Sequence, residues 1–513
     1  MGTRNDRLRA LRRHQVPAWW LDAKLGIFVH WTMAAVPAFA PVDGDIGELI
    51  GSRRRRAFAW SPYVEWYENS LRFPDSPVAL HHRAVYGDRP YRSFRAAFEA
   101  GIDQWDPGEW AARFAATGAR YVVLVAKHHD GYCLWPTGVD NPGRPGWHSR
   151  RDVVGELAEA VRGAGMRFGL YYSGGLDWTF DDRPLGSMAD VLAAVPRGRY
   201  PAYAEAQVRE LIARYRPSVL WNDIAWPTTG TRLWDLFHHY YEVVPDGVVN
   251  DRWMPWNPLL AATRAEPVRR AVDAAIGRMM TAEGGLVPPR PPHYDVRTPE
   301  YVVFDDVQPT PWECVRGIDR SFGYNAASRP EDFLGRAELL WLLADIAAKG
   351  GNLLLNVGPR GSDGGIPDEQ AERLAWLGEW VGGHGRAVLD TRPWVHPGTT
   401  TGGGRPVRYT ARGDTVYAVV GAPKGAAGTP GAAVDVPVDP ASGEVVLAEV
   451  LPTPTTSVAT LAGRPLTWTG TPGGLSVSLP GPGDGARPDD GAEPDDGGVP
   501  EVLVLDRVEA RPR

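Results

Sequence analysis

From residue 17 to about 395, short and nearly continuous apolar runs alternate with longer stretches whose apolar positions recur every three or four residues. The runs are Leu25–His30, Tyr121–Lys127, Arg167–Ser173, Ser218–Asp223, Val248–Arg252 and Asn352–Val357. Their length suits strands buried on both faces of a parallel sheet. Between them the helical period runs through Pro107–Thr117, Val153–Ala164, Tyr203–Tyr215 and Arg336–Ala348. Repeated strand–helix alternation predicts an α/β fold, a TIM-like (β/α) barrel rather than a sandwich, over residues 1–395. After Trp394 the helical period stops, and Thr, Val, Gly and Pro dominate. Short runs at Val407–Tyr409, Thr415–Val420, Glu444–Val450 and Glu501–Leu505 predict a C-terminal antiparallel β-sandwich over 396–513.

Two stretches interrupt this pattern. Residues 481–500 hold six acidic residues, one basic residue and almost nothing apolar, so they read as a disordered acidic loop. Residues 259–292 hold a helix-like stretch, 265–280, followed by a proline-rich run. This insertion reads equally as a lid above the barrel mouth, a homo-oligomer contact or a solvated surface feature.

Composition narrows the function. The net charge of −7 argues against nucleic acid or an anionic membrane as the main partner. No apolar run is long enough for a transmembrane helix, and the basic N-terminus leads into no signal-like apolar stretch, so the expectation is a cytoplasmic protein. Two cysteines, Cys133 and Cys314, cannot build a disulfide framework or a cysteine-rich zinc site. Only four basic residues are lysine, and three of them (Lys24, Lys127, Lys349) lie in or beside the apolar runs. A lysine in so arginine-rich a chain reads equally as a place suited to a compact ammonium or as chance in an arginine-rich composition.

Active residues of a barrel sit at the C-terminal ends of its strands. Those ends deliver His30 and Trp31, then Lys127–Gly131 with His128 and His129, then Tyr171, then Trp221 and Asp223, then Asn250–Arg252. Histidines, tryptophans and a few carboxylates describe a pocket for a small polar ring, with Trp66, Trp221 and Trp31 the best aromatic candidates. A metal site is disfavoured: no HExxH or His-x-His occurs, and His128 and His129, if both in a strand, point to opposite faces. Gly350-Gly351 is followed by no Gly-Lys-Ser/Thr, so a phosphate loop is disfavoured too. No cofactor is expected.

Several segments resemble the α-L-fucosidases of glycoside hydrolase family 29. They are Ala23–Trp31 (AKLGIFVHW), Glu65–Tyr67, Gly118–Gly131 (GARYVVLVAKHHDG), Arg167–Ser173, Leu220–Asp223, Asn250–Arg252, Thr298–Tyr301, Trp312–Glu313, Gly323–Asn325 and Lys349–Pro359 (KGGNLLLNVGP). The resemblance is collinear over roughly residues 17–395. It implies a catalytic barrel followed by a β-sandwich, acting on terminal α-L-fucose of fucosylated glycans or oligosaccharides. It further implies Asp223 as nucleophile, with His30, His128, His129, Tyr171, Trp221 and Arg252 binding the sugar or orienting the nucleophile. Glu65 and Trp66 match a sugar-contacting pair, and Glu300 matches the acid/base, with Glu65 the alternative. The chain departs from the family pattern at Phe322, where Trp is usual, and at Ile224, where many members have Gly. Phe322 reads as a packing change; Ile224 reads as reshaping the leaving-group side. A barrel glycosidase for another sugar, such as a galactoside, and a non-catalytic sugar-binding protein are the rival readings. Glu65 and Glu68 have a further reading, as one solvated helix face.

Overall fold

Seven parallel strands form one curled sheet: β1 Leu25–Val29, β2 Tyr121–Lys127, β3 Arg167–Tyr172, β4 Val219–Asn222, β5 Val248–Val249, β6 Trp312–Gly317 and β7 Gly351–Val357, in the spatial order β5-β4-β3-β2-β1-β7-β6. The computed structural model describes residues 4–52, 55–257, 262–263, 265–279, 287–401, 404–421, 444–479 and 499–512, of which 4–7 and 276–279 as backbone only. Helices over Pro107–Ala116, Val153–Gly163, Tyr200–Tyr215 and Arg336–Ala348 follow the periodic stretches. Asp106 and Asp152 cap the first two by accepting the backbone N–H of Gly108 and Gly155, which satisfies donors that a helix start leaves open.

β5 and β6 do not pair with each other. An extended segment, residues 295–301, lies between them. The N–H groups of Asp295 and Val296 donate to the Val249 carbonyl at 3.0 and 3.3 Å. On the other side Tyr301 N–H donates to Val315 O and Val315 N–H to Pro299 O, each at 2.9 Å. The barrel therefore closes through a segment that contains a proline and several charges, and that no apolar run announces. β6 was equally hidden, because Glu313 and Arg316 break its apolar character.

The two-residue period of the strands divides the side chains between two cores. Leu25, Ile27 and Val29 of β1, Val122 and Leu124 of β2, and Leu353 and Leu355 of β7 pack outward against the helices. Phe28, Tyr121, Val123, Tyr171, Val219, Trp221, Val315 and Leu354 fill the barrel interior. Gly26 lies where a Cβ would come within 2.3 Å of the Tyr121 ring, so only glycine lets that ring enter the interior.

The C-terminal part is a five-stranded antiparallel sheet facing a three-stranded one. The first comprises β8 Arg392–Thr400, β9 Pro406–Arg412, β10 Thr415–Val420, β12 Val450–Thr460 and β15 Glu501–Ala510; the second comprises β11 Glu444–Leu447, β13 Trp468–Thr471 and β14 Gly474–Ser478. β8 crosses the 395/396 division that composition suggests. The acidic stretch 481–500 lies outside the described residues, apart from its last two. Within 259–292 the helix Glu266–Met279 packs beside the short helices Met188–Ala193 and Ile46–Ser52: Ala189 N–H donates to Asp273 at 2.9 Å, and Glu266 pairs with Arg55 at 3.1 Å.

Candidate active site

β4 ends by placing Trp221 and Asp223, two residues apart, on the interior side. The intervening Asn222 turns away and ties the strand end down, donating to Ala225 O and Arg252 O at 3.0 and 2.9 Å. Asp223 accepts three hydrogen bonds. Tyr171 O–H donates to Oδ2 at 2.9 Å, Arg252 Nη1 to Oδ1 at 3.1 Å, and the Ile224 N–H to Oδ1 at 2.8 Å. Ile224 sits in the left-handed region at φ 69°, a conformation costing a β-branched residue roughly 1–2 kcal/mol. That strain is held beside the carboxylate it helps to orient.

Glu300 reaches the same place from the closing segment. Its carboxylate pairs with Arg252 Nη1 at 2.6 Å, the nitrogen that also holds Asp223. One oxygen at 2.6 Å and one at 3.1 Å from a shared nitrogen are at most about 5.7 Å apart. Arg252 is in turn fixed by Thr298, donating to its hydroxyl at 3.2 Å and its carbonyl at 3.0 Å. Burial pushes the Glu300 carboxyl above its ordinary value; Arg252 opposes this, and the Asp223 charge adds to it.

Glu65 lies in the same cavity, 3 % exposed, with no well-formed hydrogen bond to either oxygen. Its own N–H and that of Gly323 are the nearest donors, and they offset burial only in part, so the carboxyl is pushed up to about 8. The solvated-face reading therefore fails for Glu65. Glu68 is also largely removed from solvent, against Arg72 at 3.6 Å.

Histidines and aromatic rings complete the walls. Burial lowers all three histidines, His30 to about 3 and His129 to about 4. As neutral rings each offers one donor and one acceptor to a hydroxylated ligand. The Tyr171 ring stacks between His128, at 5.6 Å, and Trp221, at 5.3 Å. Trp66 stacks on Phe58 at 4.5 Å and meets His129 edge-on.

The pocket and the open solvent at its mouth together take up about 690 Å³. His30, Glu65, Trp66, His128, His129, Tyr171, Trp221, Asp223, Arg252 and Glu300 all line it. Trp31 does not. It follows His30 by one residue, faces the helices, and packs among Phe98, Trp105 and Trp110. The expectation that His128 and His129 point to opposite faces also fails. β2 ends at Lys127, and beyond it both rings turn into the pocket, 4.0 Å apart. Among the described residues no group of three or more His, Cys, Asp or Glu is placed to hold a metal ion.

Phe322 lines the pocket 5.0 Å from the His30 ring, so its identity bears on the site and not on packing alone. Sequence reasoning missed Phe28, although its two-residue spacing from His30 was a usable signal. It also missed Ile46, Ile50, Phe58 and Met188, which form an apolar wall from elements outside the strands. No strand-end pattern points to those four.

A sequence model of the family described as Alpha-L-fucosidase matches residues 3–386. The plasma alpha-L-fucosidase of Rattus norvegicus is 30% identical over 487 residues, covering 92% of this chain and 89% of the relative. The alpha-L-fucosidase of Branchiostoma floridae is 29% identical over 493 residues, with 92% and 90% covered. The alpha-fucosidase of Thermotoga maritima is similar in structure, with a TM-score of 0.75, 36% identity, and 97% of this chain and 98% of the other covered. The same enzyme in complex with fucose gives a TM-score of 0.75 at 35% identity, with the same coverage.

Proposed function

The chain belongs to the alpha-L-fucosidase family of glycoside hydrolases, and from that premise we propose that it releases terminal α-L-fucose with retention of configuration, through a covalent fucosyl-enzyme on Asp223. The observation that carries this reading is the single guanidinium of Arg252 bound to both Asp223 and Glu300. It holds one oxygen of Asp223 and one of Glu300 no more than about 5.7 Å apart, a reach that accommodates the roughly 5–5.5 Å between the two carboxyls of retaining glycosidases. The fucose complex of the related Thermotoga maritima enzyme supports fucose as the sugar.

Asp223, oriented by Tyr171, Arg252 and the Ile224 N–H, attacks the anomeric carbon as the bond to the leaving oxygen breaks. Glu300, whose carboxyl burial and the Asp223 charge push above its ordinary value against the pull of Arg252, gives its proton to that oxygen. Water then attacks the same carbon, Glu300 takes the water's proton, and the ester to Asp223 breaks. The neutral histidines bind sugar hydroxyls, and Trp66 and Trp221 line the pocket beside the ring. No step draws on a metal or a cofactor. The substrate is a fucosylated glycan or oligosaccharide.

Proton NMR of the first-formed sugar from an aryl α-L-fucoside tests the mechanism. α-Fucose is expected first; β-fucose first would mean inversion and overturn it. Azide assigns the roles. Glu300→Ala with azide is expected to yield the α-fucosyl azide, since azide attacks the covalent intermediate. Asp223→Gly with azide is expected to yield the β-anomer by direct displacement. An α-azide from Glu65→Ala, and none from Glu300→Ala, would exchange the roles of the two glutamates.

A further inference from the structure

Glu313 is fully buried on β6 and does not line the pocket, so it touches no substrate. It nevertheless anchors two side chains of the barrel interior. Tyr121 O–H donates to one carboxyl oxygen at 2.8 Å, and the Trp221 indole N–H donates to the other at 3.1 Å. The indole is a donor only, and among the described residues Glu313 is its hydrogen-bond partner. What rests on the Trp221 ring is the catalytic apparatus. The Arg252 guanidinium lies over it at 4.7 Å, and the Tyr171 ring stacks on it at 5.3 Å. These two side chains deliver two of the three hydrogen bonds that orient Asp223, and Arg252 also holds Glu300.

We propose that Glu313 is a positioning residue, which fixes the rotation of the Trp221 ring and through it the placement of Arg252 and Tyr171 on the two carboxyls. The proposal rests on the reading of Asp223 and Glu300 given above. A carboxylate of this kind is costly to bury, and burial pushes Glu313 up to about 7. Either protonation state leaves an acceptor for the indole N–H, because the Tyr121 hydroxyl can donate or accept. A hydrophobic residue would fill the space more cheaply, but it would leave the indole N–H without its acceptor and the tilt of the ring set by packing alone. A displacement of about 1 Å at the reacting groups is enough to cost on the order of 100-fold in rate.

The test is a double-mutant cycle on the full chain, read as kcat with an aryl α-L-fucoside. Glu313→Leu is expected to lower kcat by about 10- to 100-fold, with a smaller change in KM. Glu313→Gln is expected to stay within about 3-fold of wild type, its amide oxygen accepting from Trp221 and its amide nitrogen donating to Tyr121. In a Trp221→Phe background, which has no indole N–H, Glu313→Leu is expected to add less than about 2-fold. The full loss in both backgrounds would overturn the proposal, since a merely structural role is indifferent to the indole. A second readout needs no turnover: the Arg252 side-chain NMR signals, which the ring current of Trp221 at 4.7 Å is expected to shift, are expected to move in Glu313→Leu and to stay in Glu313→Gln. Unmoved signals in Glu313→Leu would overturn the positioning role whatever the enzyme hydrolyses. A wild type inert towards fucosides would overturn the fucosidase reading alone. If the leucine variant fails to fold, Glu313→Met enters the same cycle and the same spectrum.

Discussion

At the scale of single residues, burial decides chemistry that residue type leaves open. Glu65 and Glu300 are both glutamates in one pocket, and burial raises both. Glu300 has Arg252 against it and Asp223 close by; Glu65 has neither. A carboxyl pushed to about 8 is a neutral acid at pH 7, able to donate to a sugar hydroxyl and costly once ionised. The sign follows from linkage. The folded state binds the Glu65 proton more tightly than the unfolded chain, so its stabilising contribution is whole below about pH 4.5 and is lost as pH rises towards about 8. Glu65→Gln, neutral at every pH, is therefore expected to have wild-type thermal stability at pH 4 and a higher Tm than wild type at pH 9. It is also expected to keep at least roughly a third of kcat/KM at pH 6, because its amide still donates. Equal melting curves for the two proteins at pH 9 would refute a protonated Glu65.

Elements act as carriers, and the least regular one carries the most. Residues 295–301 close the barrel without forming a regular strand, and they bring Glu300 to Arg252. Thr298 pins this segment, its hydroxyl donating to Asp251 at 2.7 Å and accepting from Arg252 Nε at 3.2 Å. Thr298→Val keeps the shape and leaves those buried groups short of a partner, a loss of about 1–3 kcal/mol. Urea unfolding is expected to show that loss, and kcat to fall by about 10-fold as Arg252 shifts between its carboxyls. An unchanged kcat at reduced stability would mean that the segment only holds the barrel together. The regular strands were legible because a parallel sheet buried on both faces needs continuous apolar runs. The closing segment and β6 were not, because their inward positions carry Thr298, Glu300 and Glu313, which are polar for the sake of the site.

Over the whole molecule, the helix Arg336–Ala348 is one of the elements that fasten the sandwich to the barrel. Asp345, on the helix Arg336–Ala348, pairs with Lys349 at 2.9 Å and with Arg408 of β9. The Arg408 guanidinium also lies over the Trp341 ring at 5.0 Å, and Thr410 donates to the Ala387 carbonyl. Asp345→Asn leaves two cations facing a neutral group. The expected cost is about 2 kcal/mol, between an exposed pair and a fully buried one. Limited proteolysis is expected to cut the sandwich of this variant before the barrel, while activity per intact molecule is kept. Cleavage of both parts at the wild-type pace would show that the interface does not depend on this pair. Two of the rare lysines sit in ion pairs: Lys127 with Asp177 at 2.9 Å, both side chains wholly buried, and Lys349 with Asp345 at 2.9 Å.

The sequence by itself determined the barrel, the sandwich after it and the residues that gather at the strand ends, because apolar period and strand-end position are local properties of the chain. It also carried the family resemblance, through segments whose order alone identifies them. Only the tertiary structure decided which of two adjacent residues enters the pocket. His30 does and Trp31 does not, since strand parity is fixed by which face the helices cover. Only it decided that His128 and His129 share a face, since that depends on where β2 stops. And only it joined Asp223 to Glu300 through Arg252, and Glu313 to both through Trp221. Those links cross from strand to strand around a closed ring, and their distances are set by the closure of the barrel, which no local pattern in the chain records.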